Sequence, residues 1–538
     1  MFSRYVIISV AFLILASSPS SSDHELKENL SKFSHALRLV RTEFVDTVNT
    51  HELIISGIQG MLGHLDPHSD FLDEETTRKM HEEHRGSFHG VGMTISVQTG
   101  WLTVVSPIDE TPAARAGIMA GDRIIKIDGV SSKGISSDEA AELIRGPKGT
   151  TVTLTILREG IDEEMEFVLE RAKIPIASLN YAFHLRPGIG YMRLTRFAKT
   201  SADELEEAKN QLIENGPLDA LILDLRMNSG GLLSAAVDVS DRFIGNDNLI
   251  VYTAGRMKRS NHKELGTTQN TWPNWPLIVL VDRGSASASE IVAGAVQDWD
   301  RGFVIGRTTF GKGLVQNLYE LSGGNALKIT TARYYTPSGR SIQRDYESTR
   351  VDYYRNAGKN NGDDDRPVVY SYGGRPLKAG GGIVPDVIVD KPTQLTREEA
   401  LAQRKGILFQ TASHYLGLHP DLRNAYDSFS DFNTDYAVDS ALADTLHRTL
   451  INEGIIDSIE TWERVRENFL FSLKAELAGH IWSPTEKYRI IIERDNDILE
   501  ALRHIDDAKS LLDPESLPGR PESADPWPSD RLDISGTT

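Results

Sequence analysis

The chain has 538 residues, too many for one ordinary hydrophobic core, so several domains are expected. With 39% hydrophobic and 25% charged residues it reads as a folded protein. A net charge of −19 argues against a nucleic-acid binder held by phosphate contacts, and the absence of cysteine excludes disulfides, thiolate nucleophiles and cysteine-ligated zinc.

The chain opens with "MFSRYVIISVAFLILASSPSSSDHE". One basic residue, Arg4, precedes an apolar run from Tyr5 to Ala16 and then small residues. That is the shape of a secretory signal, assigned to residues 1–22, and the run is short for a membrane span. No clean A-x-A site is present, so an uncleaved signal anchor is the alternative. Either way the rest of the chain is expected to be exported, periplasmic or anchored facing the extracytoplasmic side.

Residues 23–84 read as a helical region. Leu26, Leu30, Phe33, Leu37, Val40 and Phe44 recur at alternating spacings of four and three, one apolar helix stripe. Packing onto its own domain is the first reading, and a seam between two copies is the second. "GIQGMLGHLDPHSDFLDEETTRKMHEEH" follows as helix, Pro-containing turn and helix. His64 and His68 have the i, i+4 spacing of a metal pair, but Pro67 between them breaks the helix that pair would need. His81 and His84 belong to a charged, solvated helix face. No metal site and no cofactor are expected.

Residues 85–172 change character. Short β-rich runs ("LTVVSPI", "RIIKIDGV", "TVTLTILRE", "EEMEFVLER") alternate with glycine-rich turns around one short helix, "SSDEAAELIRG". This is a compact, mostly β module. Residues 173–392 alternate strands and helices. "DALILDLR" and "PLIVLVD" are continuous apolar runs, as expected of strands buried on both faces, so a layered α/β core is expected. Within it, residues 344–380 form a polar, Tyr- and Gly-rich excursion, whose Asp363–Asp365 run lacks EF-hand spacing and reads as a solvated loop. Residues 393–515 are helical and charged. Residues 516–538 are rich in Pro, Ser and Asp and read as a disordered tail.

The central stretch "GSASASEIVAG", Gly284–Gly294, sets three hydroxyls at alternate positions. Ser287 and Glu290 have the S-x-x-E spacing of a capping box, which explains a serine there on structural grounds alone. Yet "PLIVLVD" leads by a short turn into this helix, whose N-terminus offers unpaired N–H groups and the positive end of a dipole. A second donor is available at "RMNSGGLL", where Gly230 or Gly231 lets an amide approach closely. A serine nucleophile needs a base, and Lys312 in "TTFGKGLVQ" is the candidate. Gly311 and Gly313 free its backbone, and Phe310, Leu314 and Val315 can desolvate it. A free lysine is neutral in only about 1 of 2,500 molecules at pH 7, so burial must lower its pKa by several units.

Together, "GSASASEIVAGAVQDWDRGFVIGRTTFGKGLVQ", "GMLGHLDPHSDFLD", "ILDLRMNSGGLLSAAVDVSDRF", "YYTPSGRSIQ" and "GGIVPDVIV" resemble the carboxy-terminal processing peptidases, or tail-specific proteases. The match runs in the family's order over about residues 50–390. It implies a serine–lysine dyad in a crotonase-like α/β core, with N- and C-terminal helical regions and an inserted PDZ domain. "ETPAARAGIMAGDRIIKIDG" is the run most diagnostic of that PDZ. Carried over, Ser287 falls on the nucleophile, Lys312 on the general base and Gln316 on the residue that orients the lysine. Ala288 and Gly230 or Gly231 fall near the oxyanion donors. Val91, Gly92 and Met93 in "HGVGMTI" stand where PDZ amides hold a peptide's terminal carboxylate, and Arg145 falls on a basic position that senses bound substrate or simply ends the PDZ helix. Asp298 shares a helix with Ser287 but lies about 16 Å along it, so a structural role is expected.

The resemblance implies an endopeptidase acting on proteins or peptides with free C-termini. A catalytically silent PDZ scaffold is the alternative, and an acyl-CoA enzyme of crotonase type is more distant. Self-association through the N- or C-terminal helices, or an adaptor protein, completes the set of expected partners. The chain departs from the family in the "RMNSGG" turn, the 344–380 insertion and the long C-terminal region.

Overall fold

A computed structural model describes residues 21–521, apart from 99, 159, 162, 268–271, 347–348, 358–365 and 392. The signal segment up to residue 20, the Asp363–Asp365 run and the tail from residue 522 lie outside the described residues. Among the described residues no helix is long and apolar enough to cross a membrane.

Residues 173–392 are built on a six-stranded sheet. Its strand order is Leu179–Arg186, Gly188–Leu194, Leu218–Asp224, Leu277–Val281, Phe303–Gly306 and Val387–Ile388. The first pair is an antiparallel hairpin, and every later pairing is parallel. Both faces are covered, as the uninterrupted apolar strands require. On one face the helices Ser201–Asn215, Leu233–Ser240 and Ala288–Asp298 bury Leu205, Ala236, Val239, Val292 and Val296.

The other face is covered from far along the sequence. Ile222, Ile278, Leu280 and Ile305 pack against Ile492, Ile498, Ala501 and Ala508 of the C-terminal region. The boundary expected at residue 393 therefore hides a division of labour. Residues from Ala402 to Ile490 bury a core of their own, while the segment from Ile492 on covers the second face of the six-stranded sheet. Arg226 fastens it: its guanidinium meets Asp224 (2.7 Å), Asp495 (2.9 Å) and Asp497 (2.8 Å), and Arg307 also reaches Asp497 (2.8 Å).

A second sheet carries the long hairpin Leu314–Glu320 and Ala326–Tyr335, flanked by Asp70–Leu72, Leu249–Ala254 and His262–Leu265. The β module is a separate sheet ordered Met93–Gln98, Trp101–Pro107, Arg123–Ile127, Thr151–Leu157 and Met165–Glu170. Val91, Leu102, Val104, Ile124, Leu154, Ile156 and, from the helix Ser137–Ile144, Ala140 fill its core. Met93–Gln98 is an edge strand of that sheet.

Two expectations are changed by the structure. The apolar stripe on the helix Ser21–Glu43 is not absorbed by its own chain: Leu26, Leu30, Phe33 and Phe44 are each more than half exposed. The 344–380 segment is no mere excursion. Its helix Arg350–Arg355 buries Tyr353, whose hydroxyl meets His68 Nε2 at 2.9 Å, and Tyr372 donates its amide to the Asp298 carbonyl at 2.7 Å.

Candidate active site

The turn between the strand Leu277–Val281 and the helix Ala288–Asp298 decides among the three serines. Ser285 Oγ donates to the Leu225 carbonyl (2.8 Å) and accepts from the Asp282 amide (2.9 Å). Ser289 Oγ donates to the Asn228 carbonyl (2.7 Å). Both are fully buried, so their hydroxyls are structural. Ser287 is the partly exposed one, and it lines a cavity of about 250 Å³. Its backbone sits at φ 55°, ψ −110°, a conformation L-residues rarely adopt and which surrounding structure must hold.

Lys312 lines the same cavity, on the loop between Phe303–Gly306 and Leu314–Glu320. Burial, reinforced by the charge of Lys328 nearby, pulls its pKa down to about 8, with Glu290 and Asp66 opposing. No hydrogen bond joins Lys312 Nζ to Ser287 Oγ; both side chains line the cavity. The rest of the wall includes Met80 and His84 of the helix Glu74–Arg85, Gly231, Gln316, Lys328 and Tyr334.

Two residues that sequence reasoning did not place in the site tie its halves together. Glu290 is fully buried. Its Oε2 accepts from the amides of Ser287 (2.8 Å) and Lys312 (2.9 Å), and its Oε1 accepts from the Gly311 amide (2.7 Å) and the Thr309 hydroxyl (2.6 Å). Burial raises its pKa while these four donors oppose the rise. The S-x-x-E spacing correctly marks Glu290 as the partner of the Ser287 amide; that the same carboxylate also holds the lysine loop is visible only in three dimensions. Tyr334, also buried, sets its hydroxyl 3.0 Å from the Ser287 carbonyl and 2.7 Å from the Lys312 carbonyl.

The oxyanion candidates separate. Gly230 gives its amide to Asn228 Oδ1 (2.9 Å), whereas Gly231 lines the cavity. A Cβ on Gly230 would stand 3.0 Å from Ala288 N, so this glycine lets the two turns close on each other. Gln316 also lines the cavity, but its side-chain amide donates to Thr330 Oγ1 (3.2 Å) and makes no hydrogen bond to Lys312. Glu290 and Tyr334 hold the backbone of Lys312. Asp298 is fully buried, 2.7 Å from Arg340, and accepts from the Ser338 amide (2.8 Å), a structural set of contacts at the far end of the helix.

In the β module, Gly92 has φ +83°, and a Cβ there would fall 2.3 Å from Thr111 Cβ. The carbonyls of Val91 and Gly92 are taken up by the amides of Ala113 (2.9 Å) and Ile108 (3.0 Å). Arg145 pairs with Glu82 at 3.3 Å and lies 4.4 Å over the Phe88 ring. His64 is exposed and His68 buried against Tyr353, with a pKa that burial and Lys312 lower to about 3, so the two histidines do not converge. No cluster of three or more metal-ligating side chains occurs among the described residues.

One reachable serine at a helix N-terminus, opposite a lysine held well short of its ordinary basicity, is the equipment of a serine-type peptidase. Family comparison agrees. Residues 188–351 match the model of peptidase family S41, residues 103–158 that of the PDZ domain, and residues 13–76 that of the activating protease CtpB N-terminal domain. The carboxy-terminal-processing protease of Bartonella bacilliformis is 40% identical over 342 residues, 63% of this chain and 78% of that protein. The carboxyl-terminal-processing protease of Synechocystis is 38% identical over 57% of this chain and 72% of its own, and the carboxy-terminal processing protease CtpB of Bacillus subtilis 32% over 60% and 68%. Among solved structures, the photosystem II D1 C-terminal processing protease is 28% identical with a TM-score of 0.34, covering 66% of this chain and 86% of that one. The chain belongs to the carboxy-terminal processing proteases, serine-type endopeptidases of family S41 that carry a PDZ domain.

Proposed function

We propose that this enzyme is exported, captures the C-terminal tails of proteins through its PDZ domain, and cleaves them by a serine–lysine acyl-enzyme route in a crotonase-like core. The observation that carries the reading is the shared cavity of Ser287 and Lys312, with both neighbouring serine hydroxyls consumed elsewhere. Neutral Lys312 takes the proton of Ser287 Oγ–H as Oγ bonds to the scissile carbonyl carbon. The resulting oxyanion faces the amides of Ala288 and Gly231. The C–N bond then breaks, the ammonium of Lys312 returns the proton to the leaving amine, and water repeats the sequence on the ester.

Substrate would lie extended along Leu314–Glu320, which among the described residues pairs with Ala326–Tyr335 on one side only. Tail capture would use the edge strand Met93–Gln98 and the amides of Val91, Gly92 and Met93. Export rests on the leader-like residues 1–22, and self-association on the exposed stripe of the helix Ser21–Glu43. The test is a fluorophosphonate probe on the full chain. Wild type should form one covalent adduct, and Ser287→Ala none with its melting curve unchanged. An adduct that persists in Ser287→Ala would move the nucleophile elsewhere.

A further inference from the structure

The loop that carries Lys312 has no regular secondary structure from Thr308 to Gly313, and it is tied to its surroundings by the amides of Thr309 on the Ile383 carbonyl (3.1 Å), Phe310 on the Ser285 carbonyl (2.9 Å) and Gly313 on Gln343 Oε1 (2.8 Å). Something must also hold the lysine at a fixed distance from Ser287, because about 1 Å of misplacement can cost on the order of 10²-fold in rate. Two bridges join those two residues directly. Glu290 joins the Ser287 and Lys312 amides, and Tyr334 joins their carbonyls.

The two carbonyls under Tyr334 are not equivalent. The Ser287 carbonyl already accepts from the amides of Glu290 (2.9 Å) and Ile291 (3.0 Å) as the helix begins. It needs no third donor. The Lys312 carbonyl is the nearer of the two to the hydroxyl, at 2.7 Å. The ring itself is fixed: it is 1% exposed, and the Tyr334 amide donates to the Gly313 carbonyl at 3.0 Å, so the same residue grips the loop twice. Burial drives the phenol pKa well above its ordinary value, so it stays a donor wherever the enzyme works.

We propose that Tyr334 is the positioning residue for the general base, its hydroxyl holding the Lys312 carbonyl and so setting the reach of the lysine towards Ser287. This rests on the dyad reading above and adds a residue to it. Tyr334 moves no proton; it acts through Lys312.

The experiment is a double-mutant cycle read by the rate of fluorophosphonate labelling and by kcat and KM for a peptide substrate. Tyr334→Phe should lower the labelling rate and kcat by about ten- to a hundredfold, with KM little changed. In a Lys312→Ala background the same change should have no further effect on the residual labelling rate. 4-Aminophenylalanine at 334 restores a weaker donor on the same ring and should recover part of the loss. If Tyr334→Phe does not fold, that variant carries the cycle, slowing labelling beside Lys312 and not beside Ala. Labelling at the wild-type rate, or equal losses with and without Lys312, would overturn the proposal while leaving the dyad intact. Labelling that survives Ser287→Ala would instead remove the dyad reading itself.

Discussion

The proton on Lys312 should control the rate. Free in solution this side chain titrates near 10.5, and in the enzyme near 8, which is about 3 kcal/mol of differential destabilisation of the ammonium. At pH 7 roughly one molecule in eleven then carries the neutral base, against about one in 3,000 for an unperturbed lysine, a gain of about 300-fold. The kcat/KM for a fluorogenic peptide should therefore rise about tenfold per pH unit below 8 and level off above it. Lys328→Gln removes a neighbouring positive charge and should move the midpoint upward; Lys328→Arg should not. Lys312→Arg should be inactive, since a guanidinium does not deprotonate in this range. Stability gives an independent check with a definite sign. The folded pKa lies below the unfolded one, so the buried charge destabilises the enzyme fully below about pH 8, and the penalty fades as pH rises through about 10.5. Lys312→Met should thus stabilise the fold by up to about 3 kcal/mol near neutrality and progressively less towards pH 10.5, measured by urea unfolding. A rate profile governed by a group near 10, or a Met variant no more stable at pH 7, would refute the desolvated-base reasoning.

Asp298→Asn leaves Arg340 buried without its charge partner and should cost about 3–5 kcal/mol, seen as a lower melting temperature with activity lost in proportion; inactivity with unchanged melting would mean a catalytic part for Asp298. Amidating a substrate's C-terminus should weaken binding to the Ser287→Ala protein by about 1.5–3 kcal/mol per charged hydrogen bond lost, and equal calorimetric affinity for acid and amide would show that the PDZ does not read tails. Asp497→Ala removes one of three carboxylates from Arg226 and the partner of Arg307, and should loosen the C-terminal segment from the sheet, read as faster amide exchange at Asn496–Arg503; unchanged exchange would assign that attachment to apolar packing alone.

The sequence by itself determined whatever depends on neighbours along the chain. Apolar runs marked the sheet strands, alternating β patterns marked the PDZ module, and the strand–turn–helix around Gly284–Gly294 marked a helix N-terminus with a serine on it. The S-x-x-E spacing found the Glu290–Ser287 contact because a capping box spans three residues. Family motifs pointed to the middle serine and to Lys312, although nothing local separates Ser287 from Ser285 and Ser289. Tertiary structure separated them, because the carbonyls that consume the outer hydroxyls belong to Leu225 and Asn228, some 60 residues away. It also put Arg145 on Glu82. The same reason governs the largest surprise. The helices after Tyr488 cover the second face of a sheet that begins some 300 residues earlier, and Tyr334 reaches both halves of the site from a strand that neither half contains. Local sequence records the propensity of a segment to form a strand or a helix. Which distant segment satisfies its buried groups is fixed only when the chain closes on itself.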